Sequence, residues 1–374
     1  MKRMVLPLLI LLPFNLMLGS DYNKVDSQLA TVPATLRNAS EITADLTRNL
    51  STSTEKVRAI YYWISHNIRY DVSQLGSAGI SYRSGERNLL NEVLQKRQGV
   101  CQHYAELFNA CCKATGIQSY IISGYTKTDG KIAPLTHAWN AVVINGKYYE
   151  IDATWASGYV DNGKFTAKFD DTYFMIPPAE FIKTHMPFDP IWQFLDNPVS
   201  NKEFQSSDFS KLKIRSNFNF ADSIKTIAGL DSLSILIREN KRIRNCGLTN
   251  DLIREYVSYN QQNIVQIKYN QAVGQFNKAI EAYNIYVMHK NKQFKGSSLE
   301  DAKIMELLSA ANNHAESAQT RIRFLNGDNS TIMKNIFELQ TQIEALKKNI
   351  DTETLFVKKY ISTGKPFRMF LFGR

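Results

Sequence analysis

Asn145-Gly146 separates two β-rich runs, Ala138 to Ile144 and Lys147 to Thr154. Asn-Gly in that setting is the strongest short-range signal for a two-residue hairpin turn, because both turn residues need a positive φ. The loop length sets the pairing: Ile144 faces Lys147, so Trp139 faces Asp152 and His137 faces Thr154. Opposed residues share a sheet face and the side-chain period is two, which puts His137 and Asp152 on one face as diagonal neighbours. Such diagonals lie roughly 7–8 Å apart between backbones, close enough for an imidazole to reach a carboxylate. A one-residue slip would place the two on opposite faces.

Upstream, Gly99-Val100 delivers Cys101 onto the first turn of an expected helix. Ala105, Phe108, Cys111 and Cys112 form its apolar stripe, and Gly116 marks its end. A thiol at that position meets unpaired backbone N–H groups and the positive end of the helix dipole, which favour the thiolate. A lone cysteine is more often a small buried hydrophobe. The histidine and aspartate downstream shift the balance toward a nucleophile, a base and an orienting carboxylate, supplied by Cys101, His137 and Asp152.

Gly99-Val100-Cys101, Thr136-His137-Ala138-Trp139-Asn140 and Ile151-Asp152-Ala153-Thr154-Trp155 resemble the three motifs of the transglutaminase-like superfamily of cysteine acyl-transfer enzymes. The later run from Asp171 to Gln193 contains Pro177-Pro178, His185-Met186-Pro187 and Pro190-Ile191-Trp192. It resembles the segment that follows this core in the kyphoscoliosis-peptidase-like branch. The resemblance covers about Thr52 to Leu195. It implies an α+β, papain-like core in which the helix bearing the cysteine packs on an antiparallel sheet. In that core Cys101 would be nucleophile, His137 base and Asp152 orienter. The substrate stays open, since related proteins are implicated in peptide hydrolysis, glutamine–lysine crosslinking, deglycosylation or no catalysis.

Lys2 and Arg3 followed by the nearly apolar run Val5 to Leu18, with Gly19-Ser20 after it, read as a secretory signal peptide over residues 1–20. The run is shorter than the roughly 20 apolar residues that span a bilayer, and Pro7 and Pro13 interrupt it. An exported chain, periplasmic or extracellular, with no integral membrane segment after cleavage is therefore expected. The formal net charge of +10 over 374 residues is modest. No basic stripe interleaved with aromatics falls on one element, so nucleic acid is not an expected partner. The four cysteines have neither the spacing of a disulfide framework nor a Cys-x-x-Cys pair for zinc. We expect one reactive thiol and three structural ones, with a Cys246 bridge as an open alternative, and no metal or cofactor.

Residues 21–50 read as a polar lead-in, and Thr52 to Glu55 as a capping box opening a helix with Val57, Ile60, Tyr61, Ile64 and Ile68 inward and Trp63 and His66 off that stripe. Residues 73–86 read as a Gly/Ser-rich loop. The expected organisation is a catalytic domain over 21–198 and a helical domain over 199–374. In the latter, Ile304 to Leu325 and Ile332 to Ile350 step by fours and threes, and Val273 to Val287 follow more loosely, as in an antiparallel coiled-coil-like bundle. The aromatic, basic tail from Lys365 is expected to fold back onto that bundle, with an exposed end meeting a partner or membrane surface as the alternative.

The chemistry these residues support is two-step acyl transfer on a peptide or carboxamide. The Cys101 backbone N–H would be one oxyanion donor, and Gln98 or a tryptophan the second. Water as acceptor would make a peptidase, a lysine amine a transglutaminase, and the sequence does not choose. A different class of reading is an idle site on a secreted scaffold that works through its helical bundle, whose helices would then contact a protein partner.

Overall fold

The computed structural model describes residues 22–28, 38–74, 87–214, 218–295, 300–327 and 330–372. The expected leader and most of the expected 73–86 loop lie outside them. Contacts divide the chain into two units, one running to residue 229 and including 242–256, the other comprising 230–241 and 257–374.

The first unit opens with α1 (Asn23–Gln28), α2 (Ala39–Thr47) and α3 (Ser53–Asn67). The capping box is present: the Glu55 N–H donates to the Thr52 hydroxyl at 3.2 Å, and the Thr52 N–H to the Glu55 carboxylate at 2.9 Å. The expected inward residues of α3 are buried, and so is Trp63, with the Arg97 guanidinium over its ring at 4.7 Å. His66 is exposed. Strand β1 (Arg69–Tyr70) precedes α4 (Arg87–Lys96), and β2 (Gln98–Gly99) pairs with β1 in parallel, Tyr70 beside Gly99. Helix α5 (Cys101–Ala114) follows at once, burying Tyr104, Ala105, Leu107, Phe108, Cys111 and Cys112. A side chain at position 99 would bring its Cβ within 2.7 Å of the His103 Cβ, so the tight entry into α5 requires glycine.

Strands β3 (Ser119–Thr128), β4 (Lys131–Ile144) and β5 (Lys147–Ile151) form the antiparallel sheet against which α5 packs. Helix α6 (Ala153–Ser157), the hairpin β6 (Gly158–Asp161) and β7 (Lys164–Ala167), and α7 (Pro178–Phe181) lead to β8 (His185–Pro187), which closes the sheet in the order β5-β4-β3-β8. The hairpin register matches the expected one, from Ile144 opposite Lys147 to Asn140 opposite Ile151. Asn145 and Gly146 carry φ of 52° and 75°. Two expected pairs are corrected: β5 ends at Ile151, so Asp152 is not in the ladder opposite Trp139, and Thr154 lies in α6 rather than opposite His137. The cause is Asp152, whose Oδ1 accepts the N–H groups of Thr154 at 2.8 Å and Trp155 at 3.0 Å and so starts a helix where the strand would continue.

Beyond residue 198 the chain stays in the first unit through α8 (Asn201–Ser206) and α9 (Phe220–Ile227), whereas a separate domain was expected from 199. Ile224 of α9 packs in one apolar cluster with Ile122, Trp139 and Phe194, and buried polar contacts hold α8. The Tyr125 hydroxyl donates to Asn201 Oδ1 at 2.8 Å, and Lys127 Nζ donates to the Phe204 carbonyl. Helix α10 (Ser232–Cys246) contributes Arg242, whose guanidinium Nε donates to Asp189 at 2.8 Å.

The second unit is built on α11 (Asp251–Asn291), α12 (Asp301–Ile322) and α13 (Ser330–Ser362). The stripes Ile304, Leu308, Ala311, Ala315, Ala318, Ile322 and Ile336, Leu339, Ile343, Leu346, Ile350 are buried in one core with Val265, Ala272, Phe276 and Tyr286 of α11. Lys347 meets Gln319 and Gln340 meets Ile322, so α12 and α13 run antiparallel. The tail folds back: Leu371 and Phe372 pack on this core, and Arg368 forks onto Asp301 with two 2.7 Å bonds, while Phe367, Met369 and Phe370 stay exposed. No helix among the described residues is long and apolar enough to cross a membrane.

Candidate functional site

Cys101 is the first residue of α5 and is part-exposed. The turn before it is held by the Val100 N–H donating to His103 Nδ1 at 3.0 Å and the His103 N–H donating to the Val100 carbonyl at 2.8 Å, so the Cys101 N–H precedes the first backbone bond of the helix. Tyr70 stands beside it through the pairing of β1 with β2. Burial, then the nearby Cys101 and Asp152, push the Tyr70 phenol above its ordinary range. All four cysteines are free thiols, Cys246 among them.

His137 projects from β4 and is only 9 % exposed. Its Nε2 donates to Asp152 Oδ2 at 2.7 Å. Burial opposes a charged imidazole, but Asp152 and then Cys101 outweigh it and push His137 up to about 10. With Nε2 engaged by the carboxylate, Nδ1 is the nitrogen left for the sulfur. Asp152 is completely buried, yet burial is overcome by His137 and His185, which hold its carboxyl below the usual carboxylate range. A buried carboxylate left unpaired costs several kcal/mol. Four donors satisfy this one: two backbone N–H groups on Oδ1 and two imidazoles on Oδ2.

The second imidazole, His185 of β8, has no role in the reading from sequence. Its Nε2 lies 3.2 Å from Asp152 Oδ2, and its ring is fully buried. Gly124 makes this meeting possible. On β3 it faces His137 on one side and Pro187 on the other, and a Cβ there would fall 2.2 Å from the Met186 carbonyl and 2.5 Å from the Trp139 ring. Neither the hairpin register nor a three-residue strand signals this in the sequence. His137, Asp152 and His185 each offer a ligand-type atom, all within 4.8 Å of one another. Their observed separations of 2.7 and 3.2 Å are those of a hydrogen-bonded proton network.

The indole N–H of Trp139 donates to the buried Glu150 at 3.1 Å and is therefore engaged elsewhere. Burial pushes that Glu150 carboxyl well above its ordinary range, opposed by the bond from Trp139. Gln98 is exposed on β2. Trp155 stands 5.7 Å from His137 between ring centroids and lines the adjoining cleft. That cleft, of about 840 Å³, is walled by His137, Tyr70, Trp155, Tyr159, Phe165 and Tyr173, with Thr128, Lys168 and Asp170 among its polar groups.

A helix-borne cysteine packs against an antiparallel sheet that carries the histidine, with the aspartate just past the end of β5, in a mixed α+β unit. Residues 40–153 match the family model of the Transglutaminase-like superfamily. The chain is 33 % identical to human kyphoscoliosis peptidase over 198 residues, 51 % of this chain and 29 % of that protein. It is 26 % identical to hillarin of Drosophila melanogaster over 206 residues, 48 % of this chain and 24 % of the relative. The chain thus spans less than a third of the length of these relatives. A solved structure of a TGase is 17 % identical and covers 43 % of this chain and 38 % of its own, with a TM-score of 0.25.

Proposed function

We propose that Cys101, His137 and Asp152 carry out acyl transfer on protein or peptide carboxamides, with water as the usual acceptor. The observation that carries this reading is that His137 is held by Asp152 at 2.7 Å through Nε2, on the strand β4 against which the Cys101 helix α5 packs. The Cys101 sulfur forms a bond to the carbonyl carbon, and the proton held by His137 passes to the leaving amine as the C–N bond breaks. Water then adds to the thioester, giving a proton to His137, and the C–S bond breaks to return the thiol. Developing negative charge on the oxygen meets the Cys101 N–H at the start of α5. The apolar cleft beside His137 is large enough for several side chains of an extended polypeptide, which supports a peptide over a small amide. The leader reading adds that this work is done outside the cytoplasm, and the N-terminal mass of the protein purified from its host tests that part.

The chemistry is tested by incubating purified protein with casein and a fluorescent primary amine, then mapping products by mass spectrometry against Cys101→Ala. New peptide termini that depend on Cys101 support hydrolysis. Amine incorporation in their place would reassign the acceptor. Absence of both, with an iodoacetamide-inert Cys101, would overturn the catalytic reading and leave the scaffold.

A further inference from the structure

Of the two imidazoles that donate to Asp152, His185 is the one that the acyl-transfer scheme does not use. Its ring is clamped face to face with Phe181 at 4.0 Å and against Trp155 at 4.5 Å, so its nitrogens cannot turn away. Nε2 faces Asp152 Oδ2 at 3.2 Å, and Nδ1 faces the Thr184 hydroxyl at 2.8 Å. Only one assignment of protons satisfies both contacts. The carboxylate offers lone pairs alone, so the nitrogen facing it must carry hydrogen. A neutral imidazole has one N–H, hence Nδ1 is an acceptor and Thr184 must donate to it. The competing acceptor for that hydroxyl, the Phe181 carbonyl, is farther, at 3.3 Å. The opposite tautomer would set two lone pairs against each other in a dry site. Neutrality follows from burial first, reinforced by the charge on His137 and opposed by Asp152, so that His185 titrates only near 4.

We propose that His185 is a positioning residue: its Nε2–H takes part of the charge on the Asp152 oxygen that also holds His137, limiting how basic His137 becomes and keeping the carboxylate in line with it. This role rests on the Cys101–His137–Asp152 reading, but the contact and its effect on His137 exist without turnover. The other titratable groups around the pair are Cys101 from α5, Tyr70 from β1 and Tyr173, with Lys168 and Asp170 in the cleft.

The test is NMR titration of full-length protein labelled in its histidines, in a Cys101→Ala background where the thiol no longer raises His137. His185→Phe keeps a stacked ring and removes the donor, and His185→Gln keeps an N–H at similar reach. The Phe variant should raise the His137 midpoint by about half to one pH unit, since a carboxylate with one donor fewer stabilises the imidazolium more. The Gln variant should leave it nearly unchanged. Nitrogen shifts of His185 in the parent should show hydrogen on Nε2 and none on Nδ1, a measurement that stands even if the Phe variant does not fold. An unmoved His137 midpoint in the Phe variant, an equal rise in both variants, or an Nδ1–H tautomer would overturn the proposal. If instead the midpoint moves as expected while Cys101 of the unmodified protein is inert, the catalytic reading fails and the His185 contact stands.

Discussion

Asp152 holds His137 with one oxygen and caps a helix with the other: Oδ2 accepts from His137 at 2.7 Å, and Oδ1 accepts the Thr154 and Trp155 N–H groups. The two jobs separate under substitution. Asparagine retains a capping oxygen but turns an amide N–H₂ toward both imidazoles, which forces His137 to place its proton on Nδ1, facing the sulfur. Asp152→Asn should therefore keep the cap, lose the charge that favours the His137 imidazolium, and cost most of the Cys101 reactivity. Asp152→Ala also loses the cap, worth about 0.5–2 kcal/mol, and strands buried donors at about 1–3 kcal/mol each. Thermal melts and iodoacetamide rates on both variants check the ranking; a less stable Asn than Ala protein would show that the two oxygens do not divide the work.

Thiol labelling should single out Cys101. Burial pushes Cys111 and Cys246 up to about 11 and Cys112 higher, so at neutral pH these three are almost wholly protonated. Cys101 is part-exposed at a helix start beside His137. Peptide mapping after brief alkylation should find Cys101 modified at least tenfold ahead of the others, and His137→Ala should slow it. Faster modification of Cys246 would point to a different reactive centre.

Gly124→Ala should damage both fold and site. Its Cβ would fall 2.2 Å from the Met186 carbonyl, a backbone atom that moves only with β8. Displacing β8 displaces His185. Overpacking of this kind costs typically about 1–3 kcal/mol, and Cys101 labelling should slow along with the drop in melting temperature. A stable, fully reactive Gly124→Ala protein would mean that β8 shifts freely.

Stability should fall on both sides of neutrality, for opposite reasons. His185 is held below the ordinary histidine value, near 4, so its contribution is full above about pH 6.5 and is lost as pH falls through 4. His137 is held above it, near 10, so its contribution is full below about pH 6.5 and is lost as pH rises toward 10. The acid limb should carry a slope on the order of 1 kcal/mol per pH unit from His185. His185→Gln should flatten that limb and spare the alkaline one, as melting curves between pH 4 and 10 would show. An unchanged acid limb in this variant would assign it to the carboxylates instead.

How much of this was legible in the sequence depended on the range of the forces involved. The Asn145-Gly146 turn, the Thr52 capping box, the Cys101 helix and the stripes of α12 and α13 follow from contacts within a few residues. Local geometry sufficed for them. The approach of Asp152 to His137 is longer in reach but passes through a two-residue turn, and the register as far as Asn140 opposite Ile151 brings the two close. Even there β5 is shorter than expected, because the Asp152 side chain caps its own downstream backbone in place of further pairing with β4.

Tertiary structure decided the rest. Trp63 joins the core with Arg97, distant in sequence, over its ring. Residues 199–229 fall in the first unit, where Asn201 and the Phe204 carbonyl satisfy the buried Tyr125 and Lys127 and Ile224 packs in one cluster with Ile122, Trp139 and Phe194, groups that no spacing rule links to them. His185 reached Asp152 across a strand where Gly124 leaves room for a ring. By itself the sequence determined which side chains could carry the chemistry and the hairpin that brings two of them close. The packing of β8 on β3 decided that a third would join them, because a buried carboxylate must be satisfied by whatever donors the assembled fold brings within about 3 Å.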